Sequence, residues 1–367
     1  MVSGRRLFLF SLSNQRTIDD MNSLISHLER GDELDRQQVN AAAGFLLDSE
    51  GSVEVKKDLL RALSAKGETA SEITFFVEAF LEFAKDPATE GLEFDGPTID
   101  VCGTGGDKLN LFNVSTTSMF VIAAGGAVVV KHGNRGITSK SGGADVLEAL
   151  GVKLDLPVEK LHRCLKEAGV AFLFAPMYHP AFKEVAPVRA ALAEEGTRTI
   201  FNLIGPLLNP VRPQCQLIGV CDPKLGPEFA QILQSLGRDS AWIVHGKTAD
   251  GRSVDEVSLM GETEISKSGS YQDSESEVVR PEDFGLRSCE VEELMGGEAE
   301  ENASILVGIL DGTITDAKRD MVCINAGAGL ACAGLADDLG TGIEMAKDLI
   351  DSGEALTRLR KMQEIAQ

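Results

Sequence analysis

The sequence predicts an α/β protein: a small all-helical N-terminal domain over residues 1–87, completed by a later helical segment, beside a larger α/β domain over residues 98–367 with a mainly parallel central sheet. Three observations carry this. Residues 17–87 repeat their apolar positions at spacings of three and four and contain no strand-like run. From residue 98 onward, short β-branched runs alternate with helical patterns, the order a parallel sheet requires because each crossover needs a helix. Two of those runs end in Gly-rich turns that lead straight into helical segments.

Taken in order, Met21, Leu24, Ile25 and Leu28 mark the first helix, and Gly31-Asp32-Glu33-Leu34-Asp35 reads as a stop followed by a new cap. Further helices are expected over 37–47, 53–63 and 71–84, with no titratable cluster among them, so this domain reads as packing and dimerisation surface. Residues 86–97 form a turn-rich linker. The α/β part opens with the strand 98–101, followed by Gly103-Thr104-Gly105-Gly106-Asp107 and a helix starting at Asn113-Val114-Ser115-Thr116. A second strand, 127–130, delivers Lys131-His132-Gly133-Asn134-Arg135, then the cluster 138–143 that contains Ser139, then the helix 144–150. Strands are expected at 170–174, 216–220 and 240–245, and helices at 158–168, 227–236, 301–310, 321–335, 342–350 and 355–365. Residues 198–210, rich in Pro, Gly and Asn, read as a rigid buried connection. Residues 266–277 read as an exposed hairpin tip or mobile loop.

The turns carry the chemistry. Glycine has no Cβ, so backbone N–H groups can point into the 103–107 turn, and the N-terminus of the following helix adds free donors; together they suit phosphate. The 131–135 turn adds mobile positive charge. Asp255-Glu256, if they sit at a turn, could both reach a hard cation such as Mg²⁺. Taken singly, each turn is more often a plain strand-to-helix connection, and the acidic pair more often a solvated one.

Composition narrows the classes. A net charge of −22 and a pI near 4.7 argue against nucleic-acid or membrane-surface binding, so any phosphate site must be a local positive island. The seven scattered cysteines include no C-x-x-C pair and read as reduced thiols of a cytoplasmic protein. No apolar run approaches the ~20 residues of a membrane helix. Residues 5–10 are too short for a signal peptide and read as a hydrophobic extension.

Together, Gly103 to Asp107, Asn113 to Thr116, Lys131 to Arg135, the GADVLEALG stretch ending at Gly151, HPAFKEVAPVR ending at Arg189, RTIFNLIGPLLNP from Arg198 and Asp255-Glu256 resemble the anthranilate phosphoribosyltransferase family, over nearly the whole chain. The resemblance implies that the amino nitrogen of anthranilate attacks C1 of 5-phosphoribosyl 1-pyrophosphate, with release of pyrophosphate and inversion at the anomeric carbon. It implies binding of the phosphoribosyl donor by Gly103, Thr104, Gly105, Gly106, Asp107, Asn113, Ser115, Thr116, Lys131, His132, Gly133, Asn134, Arg135 and Ser139. Anthranilate would meet Gly103, Asn134 and Arg189, with His132 near its ring, and Mg²⁺ would be held by Ser115, Asp255 and Glu256. No residue is assigned as a strong base, because an aromatic amine is already nucleophilic; catalysis would rest on positioning and charge stabilisation. A homodimer through the N-terminal helices is implied as well. Departures from the family pattern are Lys108 in place of a frequent Gly, Leu111 in place of a phosphate-binding Thr, and Gly143 in place of a Ser. The alternatives are a relative with another aromatic acceptor, or a non-catalytic relative that binds nucleic acid.

Overall fold

The computed structural model describes residues 14–136, 140–269 and 276–367; the hydrophobic extension at 5–10 and Ser139 lie outside them. The chain divides into two compact units, Met1–Glu82 with Ala181–Leu203, and Phe83–Pro180 with Ile204–Gln367.

The first unit is helical: α1 (Asn14–Glu29), α2 (Arg36–Leu46), α3 (Val53–Lys66) and α4 (Ala70–Leu81). Local chemistry sets the starts of α2 and α4, each opened by a capping box, Asp35 with Gln38 and Thr69 with Glu72. Glu72 does more than cap. Fully buried, it accepts from Thr69 N at 2.9 Å, from Leu34 N at 2.9 Å and from Lys66 Nζ at 2.7 Å, so one carboxylate ties three segments. Residues 181–203 return to this unit through rings: Phe182 and Phe201 pack on Phe80 of α4 with centroids 5.3 and 5.2 Å away.

The second unit is built on a sheet of β1 (Thr98–Gly103), β2 (Val128–Gly133), β3 (Val170–Phe174), β4 (Cys215–Gly219), β5 (Ser240–Lys247), β6 (Ser253–Val254), β7 (Thr263–Gly269) and β8 (Glu277–Val279). The order is β3-β2-β1-β4-β5-β7-β8, with β6 paired to β5. Strands β1 to β5 run parallel, and β6, β7 and β8 add antiparallel pairs. The α/β class with a mostly parallel sheet is therefore as the sequence predicts. Helix α5 (Val114–Ala124), between β1 and β2, is buried on almost every face against the sheet and the helix Ala317–Cys332. Helix α6 (Gly143–Ala149) follows the basic turn.

The expectation for residues 266–277 needs correction at its ends, since residues 270–275 lie outside those described and Glu277 already belongs to β8. Ser266–Gly269 belong to β7, paired with β5, and Ser266 and Ser268 are buried. Small hydroxyls fit a buried pleat while reading as loop in a polar stretch. Among the described residues, no helix is long and apolar enough to cross a membrane.

Candidate active site

Strand order puts a crevice where the chemistry is. From β1 the chain winds outward through β2 and β3, then returns to place β4 on the other side of β1, so a topological switch point opens at the C-terminal ends of β1 and β4. A cavity of about 350 Å³ lies there. Gly103, Thr104, Gly105, Gly106, Asp107, Asn113, Ser115, Thr116, Lys131, His132, Gly133, Asn134, Arg135, Asp255 and Glu256 all line it. The 103–107 turn runs through left-handed backbone at Gly105 (φ 73°) and Gly106 (φ 106°), then at Lys108 (φ 56°) and Asn110 (φ 53°). Lys108 adopts this conformation although it has a Cβ, which is why Gly is at home at that position. At the start of α5 the Asn113 side chain makes no capping bond; it donates instead to Ser141 O at 3.1 Å and accepts from Asn302 at 2.8 Å. The donors of the first turn are thereby left uncapped by it.

Asp255 and Glu256 follow the short strand β6 and lie across the ends of β1 and β4. Two glycines permit this. A Cβ on Gly219 would fall 1.6 Å from Asp255 O, and one on Gly103 would fall 2.3 Å from Asp255 Oδ2. Asp255 Oδ2 accepts from Gly105 N at 2.7 Å, so the acidic turn also shapes the phosphate-type turn. Burial, with the neighbouring charges of Asp107 and Asp255 respectively, lifts the pKa of Asp255 and of Glu256 above the usual carboxylate range. Asp107, Asp255, Glu256 and the Ser115 hydroxyl border one crevice and offer the hard oxygens that Mg²⁺ takes, although among the described residues no three carboxylate, histidine or cysteine side chains are gathered closely enough to hold an ion as they stand.

The positive charge is held, contrary to the expectation of a mobile pair. Lys131, buried, donates to Val101 O and to Ser115 Oγ, the latter at 3.1 Å. Arg135 is bound by Asp145 at 3.0 Å and by Glu148, both on α6. Lys131 thus sits as a fixed charge beside the start of α5. His132 is neutral: burial and the adjacent His179 ring, 5.2 Å away, push its pKa down to about 3. Its Nε2 has no hydrogen-bond partner among the described residues.

Sequence reasoning passed over Asp100 and Asn209. Asp100, fully buried on β1, accepts from His132 N at 3.2 Å and from Asn209 Nδ2 at 2.9 Å, while Asn209 also donates to Val130 O at 2.7 Å. Burial raises the Asp100 pKa to about 6, with the Lys131 charge opposing. The pair fixes the end of β2 that carries Lys131 and His132. A lone acid inside an apolar strand was the available signal, since a buried carboxylate needs partners. Gly143 also finds its reason: a Cβ there would lie 2.8 Å from Thr116 Oγ1 and 3.4 Å from the Phe172 ring.

Arg189 lies in the helical unit, on the helix Ala186–Glu194. Its guanidinium stands 5.2 Å from the centre of the Phe201 ring and lines a cavity of about 390 Å³ shared with Arg198, Thr197, Thr199 and Asn202. Burial lowers its pKa, with no carboxylate contributing to the shift. Ser139 falls outside the described residues.

A sequence profile described as "Glycosyl transferase family, a/b domain" matches residues 95–356. The chain is 41% identical to the protein named anthranilate phosphoribosyltransferase of Desulfatibacillum aliphaticivorans, over 94% of this chain and 98% of that one. It is also 41% identical to the protein of the same name from Bradyrhizobium sp. (strain ORS 278), with the same coverage. Among solved structures, anthranilate phosphoribosyltransferase from Thermus thermophilus superposes with a TM-score of 0.84 at 36% identity, covering 93% of this chain and 98% of that one. The Saccharomyces cerevisiae enzyme in complex with PRPP and Mg gives 0.79 at 25% identity, covering 96% and 97%.

Proposed function

We infer, for a chain that belongs to the anthranilate phosphoribosyltransferase family, that it transfers the phosphoribosyl group of 5-phosphoribosyl 1-pyrophosphate to the amino nitrogen of anthranilate and releases pyrophosphate. The observation that carries this is the convergence of the 103–107 turn, the uncapped start of α5 and the fixed Lys131 charge in one crevice at the β1/β4 switch point. Such a crevice matches a donor bearing a phosphate and a pyrophosphate.

The roles divide by chemistry. The backbone donors of Gly103 to Asp107 and of Ser115 and Thr116 hold the pyrophosphate. Asn113, Gly133, Asn134 and Ser139 bind the remaining polar groups of the donor, with Arg135 at the rim. Lys131, unable to swing away, stabilises charge that grows on the departing pyrophosphate. Ser115, Asp255 and Glu256 hold Mg²⁺, which when bound neutralises pyrophosphate charge; the Saccharomyces cerevisiae relative was solved with PRPP and Mg. For the acceptor, the family resemblance assigns Arg189 to the carboxylate and Gly103 and Asn134 to the ring; Arg189 lines the cavity of the helical unit, and Gly103 and Asn134 line the crevice of the other unit beside a neutral His132 imidazole. With no strong base assigned, the rate rests on alignment of a nucleophilic amine with C1. The protein acts in the cytoplasm as a homodimer joined through its N-terminal helices, a state that solution mass at two concentrations checks.

The decisive assay follows anthranilate fluorescence with purified protein, 5-phosphoribosyl 1-pyrophosphate and Mg²⁺. Signal loss that requires all three components, and that Arg189→Ala suppresses through a raised KM for anthranilate, supports the assignment. Pyrophosphate release with a different aromatic acceptor, and none with anthranilate, overturns the acceptor and keeps the donor.

A further inference from the structure

Asp255 and Glu256 belong to no regular element, yet they must be held steady to bind a cation. On one side Val254, the last residue of β6, pairs with Gly246 of β5. On the other side stands Val257, whose peptide groups are taken up by one buried side chain. Asn325, 1% exposed on the helix Ala317–Cys332, accepts from Val257 N at 2.8 Å and donates to Val257 O at 2.9 Å. Its second N–H goes to Met321 O at 2.9 Å, so both donors and the acceptor of the amide are used. An amide among buried Met, Val, Cys, Ile, Ala, Gly and Leu residues of one helix is costly to bury unless every polar atom is paired, and here two of the three bonds go to Val257. Asn325 also borders, with Glu256, Ser115 and Ser118, a void of about 10 Å³ directly behind the carboxylate. The acidic dipeptide is thus suspended between a paired residue and a clamped one.

We propose that Asn325 is a positioning residue for the metal-binding carboxylates: by clamping Val257 from the C-terminal helix, it sets where Asp255 and Glu256 present their oxygens. This rests on the reading of Asp255 and Glu256 as Mg²⁺ ligands. Asn325→Asp keeps the shape but loses both donors and sets a carboxylate against Val257 O; Asn325→Ser is too short to reach both groups. Residues that orient metal ligands typically change affinity by roughly 10- to 100-fold when altered.

The test is a Mn²⁺ titration read by electron paramagnetic resonance in the presence of pyrophosphate. It compares the unaltered protein, both Asn325 variants, Asp255→Asn, and Leu330→Ala as an equally buried packing control on the same helix. Both Asn325 variants are expected to weaken Mn²⁺ binding by about tenfold or more, while Leu330→Ala lowers the melting temperature and leaves the titration in place. Hydrogen exchange on the metal-free proteins adds a second readout, with the Val257 amide exposed by Asn325→Ser and protected in Leu330→Ala. Should Asn325→Asp fail to fold, Asn325→Ser carries the comparison. Unchanged Mn²⁺ binding in a folded Asn325 variant, or equal weakening by Leu330→Ala, overturns the proposal. Absence of Mn²⁺ binding in the unaltered protein, or its survival in Asp255→Asn, instead overturns the metal reading on which it rests.

Discussion

Gly219→Ala tests the seat of the acidic turn most directly. The new Cβ would lie 1.6 Å from Asp255 O and 2.3 Å from Asp255 C, whereas ordinary contact begins at 3.4 Å. Because the obstacle is backbone and not the end of a flexible side chain, the turn must retreat by about 1.8 Å, the difference between those contact distances. A shift of that size breaks the 2.7 Å bond between Gly105 N and Asp255 Oδ2, so the 103–107 turn loses its anchor as the carboxylates lose their position. Misplacing reacting or binding groups by ~1 Å costs on the order of 100-fold in rate, about 2.7 kcal/mol of transition-state stabilisation. Overpacking costs the fold roughly 1–3 kcal/mol, which the protein should survive. Steady-state anthranilate consumption across a Mg²⁺ series, with melting temperature in parallel, measures both. The control is Gly44→Ala inside α2, where an added Cβ meets nothing within 4 Å and should stabilise the helix by about 0.5–1 kcal/mol without touching kcat. A Gly219→Ala enzyme with kcat within about threefold of the unaltered one, against the ~100-fold expected, refutes the reasoning.

Three further outcomes are expected. Glu72→Ala leaves Lys66 buried without its carboxylate and frees two N–H groups, which should cost the helical unit about 3–5 kcal/mol; a loss under ~1 kcal/mol in thermal unfolding by circular dichroism would contradict the buried-pair account. Lys108→Gly relieves a left-handed residue and should gain up to about 1 kcal/mol of stability, measured as the urea midpoint, and no gain would remove the strain from consideration. His132 has a folded pKa near 3 against an ordinary 6.5, so between those values the unfolded chain binds a proton that the folded chain does not. Stability from this group is full above pH 6.5 and drains as pH falls toward 3, which amounts to about 2 kcal/mol between pH 7 and pH 5. Urea unfolding followed by the single Trp242 should show a shallower acid limb in His132→Phe, and equal limbs would assign the acid loss elsewhere.

Much of the site was legible because its chemistry is local. A Gly-rich turn between a buried run and a helix start is written in consecutive residues, and so is the basic turn after β2. The cap at Asp35 made the start of α2 readable in the same way, whereas the capping box of Thr69 and Glu72 at α4 went unread. Strand β7 was missed because its small hydroxyls are buried only once it pairs with β5 and the helix Leu225–Ser235 packs on it, and nothing within the segment says so.

The sequence by itself determined the elements other than strands β6 to β8, the α/β class and the residue types at the crevice, since periodicity, capping and glycine freedom act within a few residues. Tertiary structure alone decided which later segment joins the helical unit, that Lys131 is pinned to Val101 O and Ser115, and that Asp255 rests on Gly219, far earlier in the chain. It also decided that an amide on the helix Ala317–Cys332 clamps Val257. Those are contacts between positions distant in the chain, made only once the chain has folded, and no local pattern encodes their distance.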